Sequence, residues 1–480
     1  MCKGCGRILL QKAMQTTAVI TFIINKNMKP LRIFLASCLS IIMLVFNIQP
    51  VLAFCGFYVA KADSSLYNQA SQVIIARDGQ KTVLTMSNDY QGEVKDFAMV
   101  VPVPVILKEE QVNVGETKII ERLDAFSAPR LVEYFDEDPC NVTFFESNDM
   151  FESEAAPQAA SPQRMRQNSL GVTVEEKFSV GEYDILILSA KESDGLETWL
   201  IKNGYKIPVG ARELLQPYIK QNLKFFVAKV NLEEYEAQEY QKLRPIAIAY
   251  ESPKFMLPIR LGMANAQGDQ DLIVYLLSPQ GQVELTNYRT VKIPSDIDIP
   301  EFVKEEFKDF FTTMFQKTYE KEDKKVAFLE YAWNMASCDP CSADPLNREE
   351  LKQAGVFWLI DSPSSDTPNI SPTRQTSNVF ITRLHVRYNR EQFPEDLQFQ
   401  NTRNRQLFQG RYVIRHPFRG EISCNSDYRQ VVTERQEREA QNLANLTGWN
   451  IEEIRSKIDF VEAKAKTETE TTPWWEKLWN

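Results

Sequence analysis

The chain has 480 residues, with 55 Lys or Arg against 65 Asp or Glu and a formal charge of −10 at pH 7. An acidic chain lacks the cationic surface that displaces counterions from nucleic acid, so it is a poor nucleic-acid binder, and anionic lipid offers it no attraction. Two histidines and eight cysteines bound the acid–base, metal and redox chemistry it can hold.

In chain order, the first signal is one for export. Met28-Lys29-Pro30-Leu31-Arg32 is basic, Ile33 to Phe46 is almost wholly apolar, and Val51-Leu52-Ala53 ends on a small residue. Basic flank, short apolar run and small exit residue are the layout of a secretory signal, so residues 1–53 read as a signal peptide cut after Ala53. The apolar run is about 14 residues, short of the roughly 20 that span a bilayer as a helix. Residues 1–27 do not fit the layout and read as a gene-model extension ahead of Met28. Leu35-Ala36-Ser37-Cys38 has the outline of a lipoprotein box, but too little apolar chain separates it from Arg32. Removing residues 1–53 leaves 49 basic and 65 acidic side chains, a charge of −16. No later apolar run reaches membrane-spanning length.

Residues 54–145 read as a β-rich block. Ser71 to Ala76 and Lys81 to Met86 flank Asp78-Gly79, a hairpin signal because the turn wants positive φ. Phe97 to Val101 follows, ended by Pro102 and Pro104. Residues 146–177, around Glu152 to Pro162, have little to bury and read as a disordered loop or linker. Residues 178–298 read as an α+β block: strands at Tyr183 to Leu188, Phe225 to Val230, Ile246 to Tyr250, Met256 to Leu261 and Leu272 to Leu277, helices at Leu196 to Ile201 and Ala211 to Ile219.

The block 299–466 reads as helix-rich with strands. Phe302, Val303, Phe307, Phe310, Phe311, Met314 and Phe315 form a helical apolar stripe facing a core. Val326 to Met335 is expected to continue as a second helix, and strands return at Val379 to Tyr388 and Arg411 to Ile414. Tyr428 to Leu446 is a helix stopped at Gly448, and Asn450 caps a last one. The tail 467–480 carries Trp474, Trp475 and Trp479 in a polar setting, which suits an interface with an envelope protein or a membrane surface, or a tail folded back on its own domain. Strands mixed with helices without strict βαβ alternation predict an α+β fold, β-rich in its N-terminal part and more helical towards the C-terminus.

Five cysteines survive export: Cys55, Cys140, Cys338, Cys341 and Cys424. Outside the cytoplasm disulfides persist, and an odd count leaves one thiol over. We expect Cys55–Cys140 and Cys338–Cys341, with Cys424 free; a bridge from the close pair to Cys424 is the alternative. Chain entropy assigns about 2 kcal/mol to the tight ring and about 4.5 to Cys55–Cys140. Cys338-Asp339-Pro340-Cys341 also has the pattern of a thiol–disulfide exchange site, although no helix clearly opens on it. Cys2-Lys3-Gly4-Cys5 would complete a four-cysteine zinc site, but export removes it, so no metal or other cofactor is expected.

His385, in Arg383-Leu384-His385-Val386-Arg387, and His416, in Arg415-His416-Pro417, sit in arginine-rich strands. A triad hydrolase would need one as its base, but no Gly-x-Ser-x-Gly elbow or His-Glu-x-x-His helix accompanies them, so both read as structural, with the arginines in surface ion pairs. Asp136-Glu137-Asp138 lacks the alternating spacing of a calcium loop and reads as a solvated turn. These observations favour a non-catalytic binding or scaffolding protein of the bacterial cell envelope. A periplasmic thiol–disulfide oxidoreductase using Cys338 and Cys341, and an exported hydrolase, are the alternatives.

Cys55 to Ala62, Thr85 to Tyr90, Phe97 to Pro104, Arg130 to Cys140, Cys338 to Cys341, Thr382 to Tyr388 and Gly410 to Pro417 are together similar to the bacterial exported domain-of-unknown-function 2330 family. The resemblance implies export. It implies no activity, so no functional residue is carried over from it.

Overall fold

The computed structural model describes residues 57–60, 67–68, 71–87, 90–91, 97–140, 172–203, 211–237, 243–264, 268–337, 343–359, 378–424 and 427–461. All of them fall in one compact unit, Val51–Asn480. The fold is α+β.

A nine-stranded mixed sheet is the centre. Its strands lie in the order Arg289–Lys292, Val326–Asn334, Phe380–Tyr388, Gln270–Ser278, Ser71–Asp78, Lys81–Ser87, Ile246–Glu251 and Val112–Val114, with Phe408–Gln409 added on Val326–Asn334. It therefore draws strands from early, middle and late stretches of the chain. Period-2 alternation divides its side chains between two cores. Val73, Ile75, Leu272, Val274, Leu276 and Leu384 face a second sheet, where they meet Val101, Ile185, Ile187 and Phe226. That sheet is five-stranded and antiparallel: Phe57–Ala60, Phe97–Val103, Lys224–Val230, Tyr183–Ala190 and Val172–Val180. Its far side is covered by the helices Ser193–Lys202 and Ala211–Lys220, through Leu196, Leu200, Leu215 and Tyr218. The far side of the central sheet is covered by Thr117–Ser127 and Arg348–Gln353, and by Phe307–Lys321 with Tyr428–Thr447. The layers run helix, sheet, sheet, helix. Strands buried on both faces need apolar side chains throughout, which is why Leu272 to Leu277 is an unbroken run.

Several local expectations hold for physical reasons. The hairpin closes at Asp78↔Lys81 with Gly79 at φ +56°, a backbone that glycine adopts readily for want of a Cβ. Gly448 ends the long C-terminal helix at φ +79°, donating its N–H to Ala444 O at 2.7 Å. Asn450 caps Ile451–Lys457 by accepting from the amides of Glu452 and Glu453. Phe310, Met314 and Phe315 of the aromatic stripe are buried in the core.

Other expectations are corrected. Val326 to Met335 is not a helix but the strand Val326–Asn334, enclosed by neighbours on both edges and buried on both faces. Apolar residues on every side erase the period that separates strand from helix. Met256 to Leu261 is a strand only at Met256–Leu257; Pro258 follows, and Arg260–Ala264 is a 3₁₀ turn. The β-rich first block contains the helix Thr117–Ser127, which buries Ile119, Ile120, Leu123 and Phe126. Within the expected linker 146–177, residues 172–177 belong to the strand Val172–Val180, and 146–171 lie outside the described residues. Among the described residues no helix is long and apolar enough to cross a membrane.

A small sheet completes the fold. Ile297–Asp298, Arg411–His416 and Arg130–Phe135 run parallel, so their carboxyl ends gather on one side, beside the long C-terminal helix.

Candidate functional site

Alternation on Phe380–Tyr388 sends Arg383, His385 and Arg387 to the helix-covered face of the central sheet. Three cations on one buried face require anions, and the neighbouring strands supply them. On one side, the register slips between Leu329 and Tyr331, so Glu330 is the extra residue of a β-bulge. Its carboxylate accepts from Arg383 Nε at 2.6 Å and lies 2.8 Å from His385 Nδ1. On the other side, Asp271 takes Arg387 at 2.7 and 2.6 Å, and its Oδ1 lies 3.3 Å from His385 Nε2. A third acid, Asp124 of the helix Thr117–Ser127, accepts from Arg383 Nη1 at 2.7 Å and from the Tyr275 hydroxyl at 2.9 Å. Phe315 roofs the array, stacked on the imidazole at 4.1 Å with Arg387 4.8 Å from its ring.

Three acids thus face three bases, and the charges balance only if His385 is an imidazolium. Burial alone would press the imidazole down. The Glu330 carboxylate and the contacts with Asp271 outweigh it and push His385 up to about 9. Burial would likewise raise the two carboxyls, yet the same cations hold Glu330 and Asp271 below their ordinary range.

The second histidine repeats this arrangement at the molecule's edge. His416 ends the middle strand of the small parallel sheet. Its Nδ1 lies 2.6 Å from Glu301 and its Nε2 2.8 Å from Glu133, and Phe135 stacks on it at 4.3 Å. Lys304 reaches Glu133 at 2.8 Å, and Arg419 bridges Glu301 and Asp459. Hydrogen bonds from Lys304 and His416 keep the Glu133 carboxyl below its usual range. On the opposite face of the strand end, Asp136 accepts from Arg435 at 2.8 and 3.1 Å and from the Tyr428 hydroxyl at 2.6 Å. Next to this clasp Glu439 is buried. Burial, with Asp298 and Glu301 near it, pushes its carboxyl up to about 7 against the pull of Arg435. Among the described residues no group of three or more His, Cys, Asp or Glu is placed to hold a metal ion.

The disulfide seals the same corner. Cys140 is bonded to Cys424, 284 positions away. This corrects the expected Cys55–Cys140 bridge and the free Cys424. The reason is the parallel pairing of Arg130–Phe135 with Arg411–His416, which aligns Phe135 with His416 and carries both cysteines to the same end of the sheet.

Residues 49–400 match DUF2330, described as an uncharacterized protein conserved in bacteria. The chain belongs to this family. No curated protein and no solved structure matches it. The match ends before the strand Arg411–His416, so this DUF2330 chain builds its small parallel sheet, its disulfide and its C-terminal helices partly from residues beyond the matched segment.

The structure brings together some sequence candidates and not others. His385 and His416 lie in separate clusters, the first buried against Phe315 and the second at the edge of the small parallel sheet. Arg383 and Arg387 are buried partners of Glu330, Asp124 and Asp271, which corrects the expectation of surface ion pairs. Asp136 is tied to Arg435 and Tyr428, while Asp138 accepts from the Cys140 amide at 2.9 Å. Cys55, Cys338, Cys341, Trp474, Trp475 and Trp479 lie outside the described residues. Sequence reading missed Glu330, Asp271, Asp124 and Glu439. The alternation of Arg383, His385 and Arg387 was the signal for the first three, because cations on one strand face of a buried run need counter-charges.

Proposed function

We propose that the chain is an exported protein of the bacterial cell envelope that acts by binding or scaffolding. A signal peptide cut near Ala53 delivers it to the periplasm or beyond, and the segment 467–480, with Trp474, Trp475 and Trp479, supplies contact with an envelope protein or a membrane surface. The observation that carries the non-catalytic half is the condition of the histidines. A hydrolytic base needs an imidazole nitrogen able to take a proton from a nucleophile. Both nitrogens of His385 lie against carboxylates, its charge is required by the array, and it is roofed by Phe315. Both nitrogens of His416 likewise lie against carboxylates. The Cys140–Cys424 bridge supports an oxidising compartment.

The test is N-terminal sequencing of the native protein followed by a pull-down from envelope fractions, with the mature chain and with one lacking residues 467–480. A start just after Ala53 and capture that depends on the tail are the expected results. Equal capture by both versions sinks the role of the tail, and a native start at Met1 sinks export. Hydrolysis of a model ester that is lost in His385→Gln, with folding intact, would overturn the non-catalytic reading.

A further inference from the structure

The two sulfurs of the Cys140–Cys424 bridge are not equivalent. Cys424 is exposed, while Cys140 is half-buried. The amide N–H of Cys424 donates to Cys140 Sγ at 3.1 Å. Asp138, whose carboxylate accepts from the Cys140 amide at 2.9 Å, stands on the Cys140 side. Thiol–disulfide exchange depends on which sulfur a thiolate can reach and on how well the other sulfur carries the charge it leaves with. Access favours attack on Cys424. Charge favours it too, since an incoming thiolate is an anion and Asp138 repels it from the Cys140 side. An N–H donated to sulfur stabilises a thiolate, which makes Cys140 the better leaving group. Asp138 opposes this last effect, but its carboxylate is partly satisfied by the Cys140 amide, whereas the Cys424 N–H meets the sulfur directly.

We propose that the bridge is a substrate for a dithiol protein of the Cys-x-x-Cys type, which attacks at Cys424 Sγ and expels Cys140. In the first step the thiolate of the incoming protein bonds to Cys424 Sγ. The Cys140–Cys424 bond breaks, and its electron pair leaves on Cys140 Sγ. In the second step the other thiol of the incoming protein, deprotonated, attacks its own partner sulfur and releases Cys424 as a thiolate. The dithiol is oxidised to a disulfide by two electrons. Cys140 and Cys424 are reduced and take up the two protons that the dithiol gave up. The opening is local. Phe418 stays tied to the Tyr428 hydroxyl through its N–H at 2.6 Å, and Arg419 to Glu301 and Asp459. Among the described residues only 420–424 are released, while Tyr428 and Arg435 keep their hold on Asp136. The two thiols therefore remain neighbours and the bridge can close again. That a dithiol protein meets the chain in the envelope rests on the export reading above; the direction of attack does not.

Trapping the first step tests it. The purified mature protein, its bridge intact by mass, is mixed with a Cys-x-x-Cys oxidoreductase whose second cysteine is replaced by serine, so that the mixed disulfide persists. The reaction is stopped early with acid, and the adduct is located by peptide mass spectrometry, which separates Cys424 and Cys140 from Cys55, Cys338 and Cys341. Adduct on Cys424 in severalfold excess over adduct on Cys140 is expected. Equal adducts, or an excess on Cys140, overturn the proposal. So does the absence of adduct on both sulfurs while the same oxidoreductase is trapped by a model disulfide. A native start at Met1 would remove the envelope partner and leave the measured direction of attack standing.

Discussion

The two histidines form a natural comparison. Each lies between two carboxylates, Glu330 and Asp271 for His385, Glu301 and Glu133 for His416, and each is stacked on a phenylalanine. What separates them is water. The His385 array lies between the central sheet and its helices, where an uncompensated charge is expensive. The His416 array stands at the open end of a small sheet, where solvent and salt screen each pair. The same local chemistry is therefore a condition of folding in one place and an adjustable surface feature in the other.

The largest expected effect breaks the buried array. Glu330→Ala strands Arg383 and His385 without their shared anion, and we expect a loss of about 3–5 kcal/mol in urea unfolding. A loss under 1 kcal/mol would mean that water reaches this face and that the contrast between the sites is false. Next comes the bridge. Cys140→Ser with Cys424→Ser releases a loop of 284 residues, and removal of a native disulfide typically costs about 2–5 kcal/mol. The loss is expected to fall on the edge region: amides of Arg130–Phe135 and Tyr428–Thr447 should exchange faster, while those of Gln270–Ser278 keep their protection. Uniform loss of protection would show that the corner and the central sheet unfold as one.

How much could be read in advance follows the range of the interaction. Gly79 and Gly448 were legible because a positive φ is a demand of one residue on its own backbone. The helix stripe from Phe307 to Phe315 was legible because its period lies within a few turns, whereas Phe302 and Val303, expected on the same helix, lie in a 3₁₀ turn, Glu301–Lys304, ahead of it. Val326 to Asn334 was not, since burial on both faces makes an apolar strand resemble an apolar helix. Glu330 was visible as a charge in an apolar run, but its role depends on a bulge that exists only when Phe380–Tyr388 pairs beside it. Cys140 and Cys424 were farther still from view, because their meeting depends on a parallel pairing between strands far apart in the chain.

A smaller effect sharpens the comparison through pH. His385 is raised to about 9 in the fold, so its charge contributes stability that is complete below its unfolded value near 6.5 and is lost as pH rises towards 9. Glu439 is a carboxyl raised to about 7, so the fold binds the proton that the unfolded chain releases near 4.5. Its contribution likewise declines as pH rises, but between about 4.5 and 7. The two windows barely overlap. Urea midpoints of Glu439→Gln from pH 5 to 9 should lose the lower part of the decline and keep the upper part. If both parts persist, Glu439 is not the group titrating beside the edge cluster.

The smallest expected effect is at His416 itself. His416→Gln keeps a polar side chain between Glu133 and Glu301 but removes the ring stacked on Phe135. Lys304 and Arg419 still face the two carboxylates, so the change should cost less than about 1 kcal/mol, shrinking further in high salt. His385→Gln in the same buffers should cost several times more and respond little to salt, because its partners are shielded from counterions. Comparable losses with comparable salt dependence would mean that the open end of the small sheet is as dry as the centre of the large one. In that case the exposed face of Phe135 would be covered in solution.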